Sequence, residues 1–322
     1  MSDVIVLEPR PFETCAVLLF AKAPSLGALS DALAELEPRT RGGLPVGDRW
    51  LSSGSELVVA MRAADGSAVT VDIVDAPWPD HSTTEESDGE LFRARQSGLF
   101  GPGVLPGCLG RAVQQRWAFR DAEAVVAKHR AFVRVRATYA LGRGSAGAAP
   151  PKENRVADLC FTSHVAWLAA SAGALAYFWP SGEALRSPEH VSEALAALEA
   201  DNYLPIDLWA NTRLFVVDED EGLFLMDTVG LGNLHLPDLE AVGVQSRHDR
   251  GEVDYFLQNC ALTMLSRSEP LTPGETLSGP GDEPWVVQGG EAPLALPKRP
   301  FRRVIPSAIA DVGLRLSLFG AL

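Results

Sequence analysis

The chain has 322 residues, 46% of them hydrophobic and 22% charged, which is ordinary for a folded globular protein, so disorder is not the default reading. Its 42 acidic and 28 basic residues leave a formal charge of -14. That balance argues against a nucleic-acid partner, because such binding draws on Lys and Arg neutralising phosphates, and favours basic protein partners instead.

Residues 15–22 open the pattern with Val17, Leu18, Leu19 and Phe20, an apolar run of buried-strand type. Residues 26–37 follow with Leu26, Leu29, Leu33 and Leu36 at helical spacing, and a Gly/Pro-rich link leads to strands at 56–62 and 68–74, joined at Asp65-Gly66. Residues 77–110 read as a long loop with an acidic start and many glycines and prolines. Its Trp78, Phe92 and Phe100 either dock it on the body or present a surface to a partner. A helix is expected at 116–128 and a strand at 130–139, whose Arg130, Phe132, Arg134 and Arg136 share one face. That stripe would bind an anion or form a solvated outer face paired with the acidic segment at 201–240.

Residues 142–151 are small and Gly/Ala-rich, as expected of a linker. Residues 159–179 carry no Asp, Glu, Lys or Arg and are long enough to be weighed as a membrane span. Thr162, Ser163, His164, Ser171 and Gly173 dilute the stretch, so the reading is a buried helix ending near Gly173 and a core strand at 174–179. Ser187-Pro188-Glu189 then writes a helix start: a side-chain cap, a Pro at the first helical position and an acid at the positive end of the dipole. Strands are expected at 207–217 and 223–229, a helix at 252–265, and a strand-like stretch at 285–288 within a Pro/Gly-rich extension.

Strand, helix, hairpin, loop and helix therefore occur in the same order twice. The expectation is an α+β fold of two similar ferredoxin-like halves of split βαβ type, arisen by internal duplication, with antiparallel sheets and helices packed on one face. The first half spans 1–141, with the long loop at 77–110; the second spans 152–279, and residues 280–322 form a C-terminal extension.

Certain residues resemble a bacterial family, the domain-of-unknown-function family numbered 4261. They are Tyr177, Phe178, Trp179 and Gly182; the run from Leu204 to Trp209; Thr228-Val229-Gly230-Leu231; Leu236-Pro237-Asp238-Leu239-Glu240; and His129 to Val133. The resemblance would cover residues 15–279, with the 77–110 loop and the basic C-terminal extension as departures. It implies a scaffold and carries no catalytic assignment.

No catalytic or cofactor motif stands out. Cys15, Cys108, Cys160 and Cys260 lack metal-ligand spacing and read as small buried hydrophobes in a reducing compartment. The N-terminal residues lack the basic and apolar regions of a secretory signal, so a cytoplasmic location is expected. No two histidines share a helical metal-ligand spacing; the best constellation is His235, Asp238 and Glu240, read as one loop that could bind a divalent cation or supply acid–base chemistry. In residues 201–240 nine acidic residues face a single Arg213, which marks the segment for a basic partner, above all at the hairpin tip Asp218, Glu219, Asp220 and Glu221. The basic run Lys298, Arg299, Arg302 and Arg303 reads as a solvated loop. The apolar tail, with Leu314, Leu316, Leu318 and Phe319, would add a strand to the chain's own sheet or dock on a partner.

The functional expectation is a non-enzymatic, protein-binding accessory, adaptor or toxin-neutralising component of a bacterial multi-protein system, with no cofactor, no nucleic acid and no membrane span. Two alternatives stand beside it: a metal-assisted or acid–base enzyme at the His235 loop, and a structural subunit of a larger assembly.

Overall fold

In the computed structural model, residues 12–42, 50, 55–62, 66–115, 119–139, 154–220, 222–290 and 293–309 are described. Two compact units divide the chain between Trp209 and Ala210. The protein is α+β, and its described residues form a seven-stranded sheet in the first unit and a six-stranded sheet in the second.

The first sheet is built from β1 (Ala16–Phe20), β2 (Arg39–Gly42), β3 (Ser55–Arg62), β4 (Ser67–Val74), β5 (Ala131–Thr138), β6 (Ala176–Trp179) and β7 (Ala184–Arg186). Its order is β2-β3-β4-β5-β1-β6-β7, and all neighbours are antiparallel. The β3–β4 pair forms as the Asp65-Gly66 signal between the two expected strands predicts, whereas β2 lies in the stretch read as a link.

The split βαβ expectation is corrected by this order. A split βαβ unit sets the strand before its first helix parallel to a neighbour, but β1 lies between β5 and β6 and is antiparallel to both. Strand β6 comes from beyond residues 142–151, so the first sheet draws on both sides of the predicted linker, which itself lies outside the described residues.

Every position of β1, β4 and β5 is buried, which requires cover on both faces of the sheet rather than one. One cover is α5 (Arg155–Ala170), packed on β1, β5 and β6, with α1 (Leu26–Ala32) and α6 (Pro188–Asp201) beside it. Ser163 of α5 bonds the Tyr177 hydroxyl at 3.2 Å and accepts the Trp209 indole N–H at 2.9 Å. The stretch weighed as a span is therefore a 16-residue helix followed by a strand, and no helix among the described residues is long and apolar enough to cross a membrane.

The other cover is the segment read as a loop. It contains α2 (Gly89–Gln96) and α3 (Cys108–Gln114), followed by α4 (Ala122–Lys128). Trp78 and Phe100 dock it: the indole meets Phe100, Phe132 and Phe178 edge-on at 5.3, 5.4 and 5.5 Å. Asp80 ties its ends together by accepting the N–H groups of Leu109 at 2.8 Å and Gly110 at 2.7 Å. Gly101, at φ +97°, lies so close to the sheet that a Cβ there would sit 2.5 Å from that of Cys15.

The second sheet comprises β8 (Asn211–Asp218), β9 (Leu223–Val229), β10 (Asp238–Val244), β11 (Thr276–Gly279), β12 (Glu283–Gln288) and β13 (Phe301–Pro306), in the order β11-β12-β13-β10-β9-β8. The β10–β13 pair is parallel, so this sheet is mixed. The two sheets thus differ in strand number, order and sense of pairing, where a duplication predicts likeness. Helix α7 (Arg250–Arg267) packs on β9 and β10 through an apolar face that includes Val253, Leu257, Cys260 and Met264.

Candidate functional site

The predicted constellation falls on β9, β10 and β13. Asp238 and Glu240 are two residues apart on β10, so they share a face of a strand rather than a loop. Register then aligns Arg213 with Asp227, Asp227 with Glu240, and Glu240 with Arg303, a row of four buried charges across four adjacent strands.

The row is closed by paired hydrogen bonds. Arg213 grips Asp227 through Nε at 2.9 Å and Nη2 at 2.7 Å. Arg303 grips Glu240 Oε2 through Nε at 3.1 Å and Nη2 at 2.8 Å, while the Leu294 N–H donates to Oε1 at 2.7 Å. Asp227 and Glu240 would repel as cross-strand neighbours. Arg299 relieves this by bonding Asp227 through Nη2 and lying 3.2 Å from Asp238 through Nε, with the carbonyls of Thr228, Ala295 and Pro297 taking more of its N–H groups. Asp238 Oδ1 also accepts from the Thr228 hydroxyl and the Leu231 N–H, each at 3.0 Å.

Burial pushes the Asp238 carboxyl up to about 6 against the opposing pull of Arg299, and burial likewise raises Glu240 against Arg303. The basic run at 298–303 is therefore no solvated loop: Arg299 and Arg303 are the counter-charges of Asp227, Asp238 and Glu240 in the acidic segment, between 61 and 72 residues away in sequence. The acid excess counted over 201–240 is correspondingly smaller at the surface.

His235 stands apart. It is exposed, in a left-handed conformation at the end of a 3-10 turn over Leu231–Leu234, with its N–H bonded to the Gly232 carbonyl at 3.1 Å. The structure thus pairs Asp238 with Arg299 and Glu240 with Arg303 and leaves His235 exposed. Among the described residues no three His, Cys, Asp or Glu are placed to hold a metal ion.

The turn between β8 and β9 presents Glu219 and Asp220 to solvent beside the half-buried Asp218, and Val216 just before it is 54% exposed. Glu221 and the tail residues Leu314, Leu316, Leu318 and Phe319 lie outside the described residues.

The stripe on β5 is also corrected. Arg134 and Arg136 are buried beside Asp72 of β4 and are neither solvated nor paired with the acidic segment. Arg134 bonds both Asp72 oxygens, and Arg136 Nη2 donates to Oδ1 at 2.7 Å. Burial alone would raise the Asp72 carboxyl; the two guanidiniums more than reverse this and hold it below the ordinary carboxylate value. The remaining guanidinium faces lie over aromatic rings, Arg134 over Phe100 at 5.8 Å and Arg136 over Phe12 at 3.9 Å.

Cys15, Cys108 and Cys260 are buried, Cys160 is half-buried, and all four are free thiols. Burial pushes the Cys15 and Cys260 thiols up to about 12 and that of Cys160 to about 11, so none is a ready thiolate.

Two features escaped the sequence reading. His190, in the first turn of α6, bonds Asp207 through Nε2, and Arg186 Nε lies 3.5 Å from the same carboxylate. In the second unit an open groove of about 390 Å³ runs between α7 and Ser278–Asp282. The helical spacing of Glu252, Tyr255 and Asn259 could have signalled one wall, but the opposing wall is a turn with no pattern of its own.

The family model described as Domain of unknown function (DUF4261) matches residues 227–304. The match opens at Asp227 and closes one residue after Arg303, so it contains every member of the charged row except Arg213. Of the resembling motifs, those at 228–231 and 236–240 lie inside it. Those at 174–182, 204–209 and 129–133 lie outside, and the basic stretch read as a departure lies within. No curated protein and no solved structure matches the chain.

Proposed function

We propose that this chain is a non-enzymatic protein-binding component, an adaptor, accessory or toxin-neutralising subunit of a multi-protein system, acting through the surface of its second unit. The observation that carries the reading is where the reactive groups go. Asp72, Asp227, Asp238 and Glu240 are bonded to arginines inside the two sheets, and the thiols are held protonated by burial.

These pairs set five arginines against four carboxylates, so the acidic excess behind the formal charge of -14 is left to the remaining residues. Asp201, Glu219 and Asp220 are among the exposed acids. An acidic surface speeds encounter with a basic protein and selects against acidic ones. Free, high-pKa thiols support a reducing, cytoplasmic setting.

The test is capture from native cells by the tagged chain, with mass-spectrometric identification, against an Asp218→Asn, Glu219→Gln, Asp220→Asn variant. A stoichiometric partner that the wild type retains and the variant holds more weakly is the expected result. A defined turnover by the purified protein that His235→Ala abolishes overturns the reading in favour of chemistry at that turn.

A further inference from the structure

Helix α7 presents Glu252, Tyr255, Phe256 and Asn259 to the groove, spaced so that they share one face of the helix. Phe256 is the buried floor, its ring 5.2 Å from that of Trp285, while Tyr255 stands 61% exposed on the wall. Gly279 lets the opposite wall come close: a Cβ there would lie 2.3 Å from the Trp285 ring.

The groove is charged on both sides. Glu252 comes from α7 and Asp282 from the facing turn, and among the described residues neither carboxylate has an ion-pair partner. The neighbouring cations are committed elsewhere: Arg247 is 3.0 Å from Glu283, Arg267 is 2.7 Å from Glu275, and Arg250 lies over the Phe224 ring at 5.9 Å. Among the described residues no basic one lines the groove.

The same groove runs along a sheet edge. Ser278 and Gly279 belong to β11, the terminal strand of the six-stranded sheet, with no strand on its outer side among the described residues. An edge strand offers unpaired N–H and C=O groups to an extended chain.

We propose that this groove binds an extended, arginine-bearing segment of a partner protein, added as a strand beside β11 with a guanidinium over Tyr255 between Glu252 and Asp282. Arginine suits the site because its plane stacks on an aromatic face while its edge donates to carboxylates. Two carboxylates on opposite walls repel an anion, and among the described residues no third carboxylate, His or Cys joins them to hold a metal ion. The proposal rests on the protein-binding reading and assigns it a location and a partner chemistry.

The test titrates the full chain into a fluorescein-labelled hexapeptide of alternating arginine and valine, read by anisotropy. Saturable binding is expected, with Tyr255→Ala weakening it about fivefold to tenfold and Glu252→Gln with Asp282→Asn weakening it at least about tenfold. Ser278→Pro removes an edge N–H and should weaken it too. A peptide with glutamate in place of arginine should not bind. Glu85→Gln with Glu86→Gln, two exposed acids of the first unit, should leave the affinity unchanged, and thermal melts establish that each variant is folded.

Equal affinity in the wild type and the groove variants overturns the proposal, as does an equal loss in the Glu85/Glu86 variant. Capture from cells separates this outcome from failure of the broader reading. A partner held equally by wild type and Tyr255→Ala sinks the groove and leaves the binding reading standing. Groove-dependent peptide binding without any cellular partner supports the groove and counts against the adaptor role.

Discussion

Each sheet buries a set of arginine–carboxylate pairs, and the two sets solve the same problem differently. In the first unit one carboxylate, Asp72, serves both Arg134 and Arg136, and the cationic faces left over lie on Phe100 and Phe12. In the second unit Asp227, Asp238 and Glu240 meet Arg213, Arg299 and Arg303 one for one, and Arg299 bridges two of the carboxylates. Taking charges out of water costs several kcal/mol per ion, so a buried pair persists only when nearly every donor and acceptor is used. A shared carboxylate concentrates that requirement on one residue, whereas a matched row distributes it.

The largest expected effect follows from this concentration. Asp72→Asn leaves two guanidiniums buried with no carboxylate and should destabilise the first unit by about 3–5 kcal/mol. Asp227→Asn takes from Arg213 its carboxylate but leaves Arg299 its contact with Asp238 and three carbonyls, so about 2–3 kcal/mol is expected in the second unit. Hydrogen exchange read by mass spectrometry over β5 and β9 separates the two losses. Equal losses would show that matching charges one for one confers no redundancy.

A titration sharpens the contrast, because the units should respond to acid with opposite sign. Burial lowers the pKa of His129 below its ordinary 6.5, against the pull of its bond to the Val126 carbonyl, and Nε2 accepts the Trp78 N–H at 3.0 Å. Its contribution is therefore full above pH 6.5 and is lost as pH falls below that value, when the unfolded chain takes up a proton and the folded one does not. Asp238, raised from 3.8 to about 6, contributes fully below its ordinary value and loses that contribution as pH rises through about 6. Between pH 6.5 and 4 acidification should thus weaken protection in β5 and strengthen it in β9, the latter by on the order of 2 kcal/mol. His129→Gln should flatten the first slope and Asp238→Asn the second. Parallel slopes that survive both substitutions would dissociate the pH response from these two groups.

Legibility in the sequence followed the range of the stabilising contacts. The β1 run, the β3–β4 hairpin, the β8–β9 pair and α7 are written in local periodicity, and each is present near its expected position. Strands β10 and β13 were hidden because Asp238, Glu240 and Arg303 occupy inward positions where the pattern demands apolar residues, so both segments read as polar loops. Their charges make sense only beside partners dozens of residues away, such as Glu240 with Arg303, 63 residues on. The segment at 77–110 was obscured in the same way, since Asp80 secures it by bonds to residues 29 and 30 positions later. Counting charges along the chain consequently marked an acidic surface where much of the acid is internal. It also kept His235, Asp238 and Glu240 together although strand geometry sends the carboxylates inward and the turn leaves the imidazole outside. The groove carries no linear signature because α7 and Ser278–Asp282 meet only in the folded chain.

The smallest effect concerns a signal the sequence did spell out. Ser187 Oγ accepts the His190 N–H at 3.2 Å at the start of α6, with Pro188 in the first helical position, while in the second unit Asp249 Oδ1 accepts two amides, Gly251 at 2.8 Å and Glu252 at 3.2 Å, at the start of α7. A charged cap serving two donors at the positive end of a helix dipole is worth more than a neutral cap serving one. Asp249→Ala should therefore cost about 1–1.5 kcal/mol in the second unit and Ser187→Ala about 0.5–1 kcal/mol in the first. Ser187→Asp should recover or exceed the wild-type value, because it supplies the missing charge without disturbing the proline. Thermal melts and exchange over the first turns of both helices read the difference. If Ser187→Ala proves the costlier change, the first unit depends on its helix ends as heavily as on the carboxylate at its centre, and the contrast between a concentrated and a distributed core loses its force.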